Sequence, residues 1–286
     1  MIRNEVLESI AVRVKVPKSQ LSFEPVHGGC IGQSYKLITR DGGSYFLKTT
    51  SEKAPGDFFA KEAEGLRLLQ DSGLRNVPTI IAVDRDFLIL SWVNQGVKTQ
   101  TSLYRAGESL AILHSKKYNF YGLEHPNYIG SEPQVNGIFK TWHECYFHSK
   151  LWPMALRANS KGHLSSSVLS MLERLEQKLP ALLPEEHPSL LHGDLWGGNL
   201  MVSEEGEPYF IDPAVYYGHR EVDLAMTMLF GGFGQSFYEA YQSSNPLLSD
   251  FKERVSLYQL YPLLVHAAIF GLSYPAECVK CIRQYL

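Results

Sequence analysis

The 286-residue sequence predicts an α+β protein in two lobes. The first is a small antiparallel-sheet lobe carrying one long helix, and the second is larger and mainly helical. Three features point to this. Between residues 21 and 92 the apolar positions recur with strand spacing, interrupted by a single helical stretch. From about residue 102 the spacing becomes helical. Between them, residues 94–101 are polar and include Gly96, which reads as a linker. The lobes are therefore expected at 1–94 and 95–286.

Each element has its own signal. Ile2, Val6, Ile10 and Val14 recur every four positions, an amphipathic helix. Residues 21–27 read as a strand, followed by the small-residue segment Gly28-Gly29-Cys30-Ile31-Gly32. Residues 34–39 alternate as a second strand, and Asp41-Gly42-Gly43 is a hairpin turn. Residues 44–49 form a third strand, on which Phe46 and Lys48 share a face. Asp57 is a candidate helix N-cap. Phe59, Ala63, Leu66 and Leu69 then mark the long helix, which ends near Gly73. Strands over 79–83 and 87–92 complete the sheet. Helices are expected over 102–117, 141–157, 165–179, 220–230, 234–243 and 248–270. One break interrupts them: residues 189–211 hold two short apolar runs around a glycine-rich turn.

Composition excludes several classes. With 44% hydrophobic and 20% charged residues the chain has the makings of a core and is not a disordered tail. The formal net charge of −3 gives no global attraction to nucleic acid or to anionic membranes. The apolar stretch over 257–272 is broken by Gln259 and His266 and is too short to span a bilayer. The N-terminal residues lack a continuous apolar run, so no secretory signal is expected. Four cysteines do not make a disulfide framework in a chain of this length, and a reducing cytoplasm is the expected location.

The glycine segment lies between two strands, not between a strand and a helix. A Walker loop or dinucleotide turn must feed a helix, and the GK[ST] sequence is absent. A strand–glycine loop–strand instead lays backbone N–H groups over a nucleotide, as in kinases. Glycine suits it because a Cβ would hold the backbone off the phosphates. Lys48 on the third strand stands where a kinase keeps a lysine for the α- and β-phosphates. A buried lysine needs an anion. Glu62, sharing a helix face with Leu66 and Leu69, is the expected partner, and Glu64 is the second candidate.

The segment His192-Gly193-Asp194-Leu195-Trp196-Gly197-Gly198-Asn199 fits H-x-D-x4-N, a kinase catalytic-loop spacing. Thirteen residues after Asn199, an apolar strand ends at Asp212. Phosphoryl transfer needs positioning and charge neutralisation more than covalent chemistry. Asp194 would orient an acceptor hydroxyl and take its proton late. Asn199 and Asp212 offer hard oxygen donors for Mg2+. His192 is expected to brace the loop, and Asp223 to cap its helix or brace the same loop.

HGDLWGGN, IDPAVYYGHREVDLAM and the upstream GGCIGQSY…FLK…KEAEGLRLL resemble the fructosamine/ketosamine kinase family, over about residues 21–272. That family is a branch of the protein-kinase-like fold, alongside aminoglycoside and choline kinases. The resemblance implies ATP and Mg2+ as cofactors and a ketosamine acceptor, free or as a protein-bound glycated amine. Its sugar would be phosphorylated, and the unstable product would release the amine, a deglycation. It also implies Lys48 and Glu62 as the nucleotide ion pair, Asp194 as base, and Asn199 and Asp212 as metal ligands. Gly28, Gly29, Cys30 and Gly32 would cover the phosphates. Residues 89–94, with Leu90, Trp92 and Val93, would form the adenine-binding hinge. Trp196 is a candidate platform for the sugar. Other readings are a same-fold kinase for an aminoglycoside- or choline-type alcohol, and a nucleotide-binding regulator without catalysis.

Cys30, inside the glycine loop, is a candidate redox switch, and through it a disulfide-linked dimer is possible beside a monomer. Cys278 and Cys281 lack a second pair for zinc, and His143 and His148 miss the helical zinc spacing. The aromatic stretch over 118–152 reads as helix packing, not as a nucleic-acid surface.

Overall fold

The computed structural model describes residues 2–26, 32–50 and 55–286. Helix α1 (Asn4–Val14) buries Val6 and Ile10. Strands β1 (Leu21–Val26), β2 (Gln33–Thr39) and β3 (Ser44–Thr49) precede helix α2 (Phe58–Asp71), and β4 (Ile80–Val83) and β5 (Phe87–Ser91) follow it. The five strands make one antiparallel sheet in the order β1-β2-β3-β5-β4. Alternation divides its side chains between two layers. Leu37, Leu47, Phe87 and Ile89 pack with Val6 and Ile10 of α1. Leu88 and Leu90 join Phe59, Ala63, Leu66 and Leu69 of α2. Lys48, next to Leu47, therefore stands on the α2 side.

The expected helix and strands of this lobe hold to within about two residues. Asp57 occupies the N-cap position of α2, yet its side chain caps nothing. Its Oδ1 instead accepts a hydrogen bond from the Tyr128 hydroxyl at 2.7 Å. The cap expectation is thus corrected: the carboxylate links α2 to the second lobe.

The second lobe opens with α3 (Gln100–Ser115), started by a reciprocal cap between Thr99 and Ser102. Four short strands follow, β6 (Tyr121–Gly122), β7 (Asn127–Ile129), β8 (Glu132–Gln134) and β9 (Ile138–Phe139). They correct the all-helical reading of the aromatic stretch, because two or three residues are too few to display a period. Trp142, Tyr146 and Phe147 do bury in the helical core. Helix α4 (Trp142–Cys145) continues through a π-helical turn (Tyr146–Leu151) into α5 (Trp152–Ser160), then come α6 (Ser166–Glu176) and α7 (Leu179–Leu182). Strands β10 (Ser189–Leu191), β11 (Leu200–Val202) and β12 (Pro208–Phe210) occupy the predicted break, and β13 (Tyr216–Gly218), which the sequence did not announce, lies just beyond it. Helices α8 (Glu221–Leu229), α9 (Gln235–Ser244), α10 (Phe251–Phe270) and α11 (Tyr274–Arg283) close the chain. Among the described residues no helix is long and apolar enough to cross a membrane.

One hydrophobic cluster runs from the first lobe into the second. Phe59, Leu66, Leu88 and Leu90 belong to it together with Leu110, Leu190, Leu195, Leu200, Phe210 and Leu224. Each such side chain contributes about 1.5–3 kcal/mol when fully buried. The strands that flank the His-Gly-Asp segment are therefore anchored in a core shared with the sheet. Gly65 lets α2 approach closely: a Cβ there would already touch Pro213 and Val215 at 3.4 and 3.5 Å.

Candidate active site

Residues 192–199 run between β10 and β11, and their backbone is held from three sides. The Ala214 N–H donates to His192 O at 2.9 Å. Gly193 has φ +82°, and a Cβ there would lie 2.1 Å from Ala214 O, so only glycine fits between His192 and Asp194. The buried Asp223 carboxylate accepts the His192 N–H at 2.7 Å and the Gly193 N–H at 2.9 Å. His114 Nε2 donates to the same carboxylate at 3.2 Å, and His114 Nδ1 meets the Tyr241 hydroxyl at 3.0 Å. Burial works to raise the Asp223 pKa, but its bonds to His114, the nearby His192 and the Gly193 N–H outweigh that and hold it below the ordinary value. Of the two roles expected for Asp223, the brace is the one observed, and α8 has no side-chain cap.

His192 braces the loop as expected. Its Nε2 donates to Ile211 O at 2.9 Å, and its Nδ1 accepts the Asp194 N–H at 3.3 Å. Burial lowers its pKa, so the ring stays neutral near pH 7.

The β11–β12 hairpin brings Asn199 and Asp212 together. Its register pairs Leu200 with Phe210, and Ile211 N–H donates to Asn199 O at 3.0 Å. The two oxygen donors thus flank the open end of one hairpin. Asn199 Nδ2 donates to Asp194 O at 2.8 Å and to Asp194 Oδ2 at 3.2 Å. The amide nitrogen is spent on Asp194, which leaves Asn199 Oδ1 as a lone acceptor. Asp212 has φ +53°, a left-handed conformation that non-glycine residues seldom adopt. The Asp194 pKa is pushed up to about 7, first by burial and then by the charge of Asp212, against the Asn199 hydrogen bond.

From the sheet lobe, Lys48 Nζ reaches Glu62 Oε1 at 2.6 Å and Asp212 Oδ1 at 2.5 Å. Burial alone would discharge this lysine, but Asp212 and Glu62 together raise its pKa above the ordinary value. Glu64 instead pairs with Lys61 at 2.9 Å. Gly32, with φ +84°, sits where a Cβ would be 2.0 Å from Thr49 O, so glycine is required at the start of β2. Gly28, Gly29 and Cys30 lie outside the described residues, and so does the redox reading of Cys30.

These groups line a cleft of about 460 Å3, within the usual range for a small-molecule site. Leu90, Trp92 and Val93 form part of its wall. Trp92 Nε1 donates to Asn94 Oδ1 at 2.9 Å, and the Lys36 ammonium lies 4.8 Å from the Trp92 ring centroid. Beyond them the linker is pinned to β11, with Gly96 N–H donating to Val202 O at 2.8 Å. Trp196 also lines the cleft. It is 38% exposed and so not a core tryptophan, with its ring over Gly198 and edge-on to Phe230.

Several lining residues escaped the sequence reading. Asn127 and Tyr128 come from β7, which is too short to announce itself. Lys98 sits in the polar linker and donates to Gly197 O at 2.7 Å. The residues set aside are structural or superficial. Cys278 and Cys281 are buried thiols whose pKa values burial pushes up to about 12 and about 11. His148 faces Glu176 at 3.4 Å on the surface.

Comparison with known proteins agrees with this geometry. The family model described as "Fructosamine kinase" matches residues 3–286. A Lactiplantibacillus plantarum protein named "Probable ketoamine kinase" is 37% identical over 272 residues, covering 92% of this chain and 93% of its own length. The chloroplastic protein-ribulosamine 3-kinase of Arabidopsis thaliana is 33% identical, covering 91% of this chain and 81% of its own. A Thermobifida fusca crystal structure assigned as a fructosamine-3-kinase superposes with a TM-score of 0.86 at 32% identity, covering 97% of this chain and 98% of the other. The bilobal, protein-kinase-like fold expected from the sequence is the fold observed.

Proposed function

Since the chain belongs to the fructosamine kinase family, an ATP-dependent phosphotransferase family, we propose that it transfers the γ-phosphoryl group of ATP to a sugar hydroxyl of a ketosamine. The observation that carries this reading is the meeting of Lys48, Asp194, Asn199 and Asp212 in one cleft, joined by direct hydrogen bonds and ion pairs.

In this reading residues 1–94 bind the nucleotide and residues 95–286 hold the acceptor and the catalytic loop. Adenine lies against Leu90, and the backbones of Trp92 and Val93 are its hydrogen-bonding partners. Gly32, at the start of β2, is the described residue of the segment proposed to cover the phosphates. Lys48, kept charged by Glu62, faces the α- and β-phosphates. Asp194 receives a hydrogen bond from the acceptor hydroxyl and fixes its direction of attack. As the acceptor O–P bond forms and the bond to the β-phosphate oxygen breaks, the hydroxyl proton passes to Asp194. A carboxylate with a pKa near 7 is better matched to that transfer than an ordinary one.

Asn199 Oδ1 and the Asp212 carboxylate are the groups that would hold Mg2+. They suit it because both are hard oxygen donors and Asn199 has already spent its amide nitrogen on Asp194. Among the described residues no cluster of three His, Cys, Asp or Glu ligands exists, which fits an ion completed by water and phosphate oxygens. Mg2+ supplies neutralisation of phosphate charge when bound.

The family match and the names of the relatives weigh against aminoglycoside- and choline-type acceptors. A regulator without catalysis is disfavoured because every reactive group is present. The names of the relatives favour the sugar 3-hydroxyl as acceptor, and release of the amine, a deglycation, is the outcome proposed. The reducing cytoplasm is the compartment proposed.

The test is ADP release from Mg-ATP against fructosamine, ribulosamine and erythrulosamine adducts of a small amine, with Asp194→Asn as control. Turnover with at least one adduct, lost in the control, supports the reading. ATP binding without turnover of any adduct overturns it.

A further inference from the structure

The charges of the cleft do not balance once the catalytic groups are accounted for. Glu62, Lys48 and Asp212 satisfy one another, Asp194 is held by Asn199, and Lys61 is paired with Glu64. Lys98 is left. It lines the cleft, and among the described residues it has no carboxylate partner; its ammonium donates only to Gly197 O. An ammonium carries three donors, so two remain for a ligand. Lys98 remains exposed, but the cleft wall removes part of its water and lowers its pKa, and among the described residues no protein anion offsets this.

The position of this ammonium is informative. Gly197 is the third residue after Asp194, so chain reach keeps it within roughly 11 Å of that aspartate. It also directly follows Trp196, the candidate sugar platform. A sugar whose hydroxyl meets Asp194 and whose ring lies along Trp196 would direct one of its ends toward Lys98. In a ketosamine the two ends beyond the reacting hydroxyl carry the amine with its substituent and the terminal sugar hydroxyl, and an anion on either could meet this ammonium.

We propose that Lys98 is the anion-binding residue of the acceptor site, so that the preferred acceptor is a ketosamine bearing a negative group. That group is the carboxylate of an amino-acid-derived amine or a phosphate on the sugar. This rests on the kinase reading above and narrows its substrate class. The loop carbonyl of Gly197 holds the ammonium in place before the acceptor arrives, which limits the ordering needed on binding. One charge-assisted hydrogen bond of this type corresponds to roughly ten- to a hundredfold in kcat/KM.

The experiment compares three synthetic acceptors with Mg-ATP. They are the fructose adduct of glycine, the same adduct of glycinamide, and the glycinamide adduct carrying a 6-phosphate. Wild type, Lys98→Met and Lys98→Arg are assayed for kcat/KM on each acceptor and for the KM of ATP. The wild type should prefer at least one anionic acceptor over the neutral amide by tenfold or more. That preference should collapse in Lys98→Met and return in Lys98→Arg, and the favoured acceptor identifies the anion. A wild type that uses all three equally overturns the proposal and leaves the kinase reading standing. So does a Lys98→Met loss equal for all acceptors or confined to the KM of ATP. No turnover of any of the three overturns the proposal. Whether the kinase reading falls with it is decided by the small-amine panel described above.

Discussion

The Lys48 ammonium lies 2.5 Å from the Asp212 carboxylate, joining β3 of the sheet lobe to the second residue after β12 in the helical lobe. The same ammonium holds Glu62 on α2. Two residues far apart in sequence thus meet across the cleft in one half-buried ion pair. Asp212 is also a proposed Mg2+ ligand, so nucleotide binding must exchange part of this pair for phosphate and metal. Lys48→Met should lower kcat/KM by about 10² or more, in line with removal of one preorganised charge donor. Faster hydrogen exchange in β3 and after β12 would accompany it. Steady-state kinetics and exchange mass spectrometry check both, and an unchanged kcat/KM would refute the assignment.

Asp194→Asn should reduce kcat by roughly 10² to 10⁴, the range for a lost general base. It should also change stability in a defined direction. The folded pKa of about 7 lies above the ordinary aspartate value of 3.8, so between those pH values the folded state binds more protons than the unfolded one. Stability from this group is therefore lost as pH rises from about 4 to 7. The variant should melt at a higher temperature than wild type at pH 8, with the difference shrinking toward pH 4. Wild-type kcat/KM should rise with pH up to about 7. Melting curves at several pH values and a pH–rate profile check these signs.

Gly193→Ala should be far more disruptive than its size suggests. The added methyl would meet Ala214 O at 2.1 Å in a left-handed backbone. Loss of several kcal/mol or failure to fold is expected, against roughly neutral behaviour for Gly197→Ala, where nothing lies within 4 Å of the new atom. Paired denaturation curves make the comparison.

Asp223→Asn keeps the shape but replaces one acceptor oxygen by a donor facing the His192 or Gly193 N–H. The loop should lose its fixed backbone, with kcat falling on the order of tenfold or more and a clear drop in stability from the unpaired buried groups. Little change in the KM of ATP is expected. A variant with wild-type kcat would show that the brace has no bearing on turnover.

Trp196→Ala should raise the KM of the ketosamine about tenfold while leaving the KM of ATP nearly untouched. Trp196→Phe should recover most of the loss, because an aromatic face remains for the sugar C–H groups. Equal effects on both substrates would argue against the platform.

The reactive centre was legible because its residues lie at short, fixed spacings. Asp194 and Asn199 share one loop, and Asp212 comes two residues after the strand that pairs with the one after Asn199. Lys48 and Glu62 were legible for another reason: strand alternation and helix periodicity each assign a side chain to a face. What supports the centre was harder to read. Asp223 could be narrowed only to cap or brace, since His114 and Tyr241, which complete its network, are scattered along the chain with nothing local to mark them. Strands β6 to β9 hold two or three residues each and carry no period. Asp57 had the sequence of a cap but a stronger claim from Tyr128. Lys98, in a polar linker, is distinguished only by the carbonyl that folding brings to it.

The hairpin that carries Asn199 and Asp212 sets their separation at its mouth, where β11 and β12 are in register. The tip, near the exposed Glu205, contributes nothing to that separation. Ser203 and Glu204 are tied to the linker by the bridge to Gln95 and by the Glu204 N–H to Asn94 O bond at 3.0 Å, so length is uncoupled from that separation only in the turn at Glu205 and Gly206. That turn is the natural point of attachment for a tag or reporter, and a place where close relatives are free to differ in length.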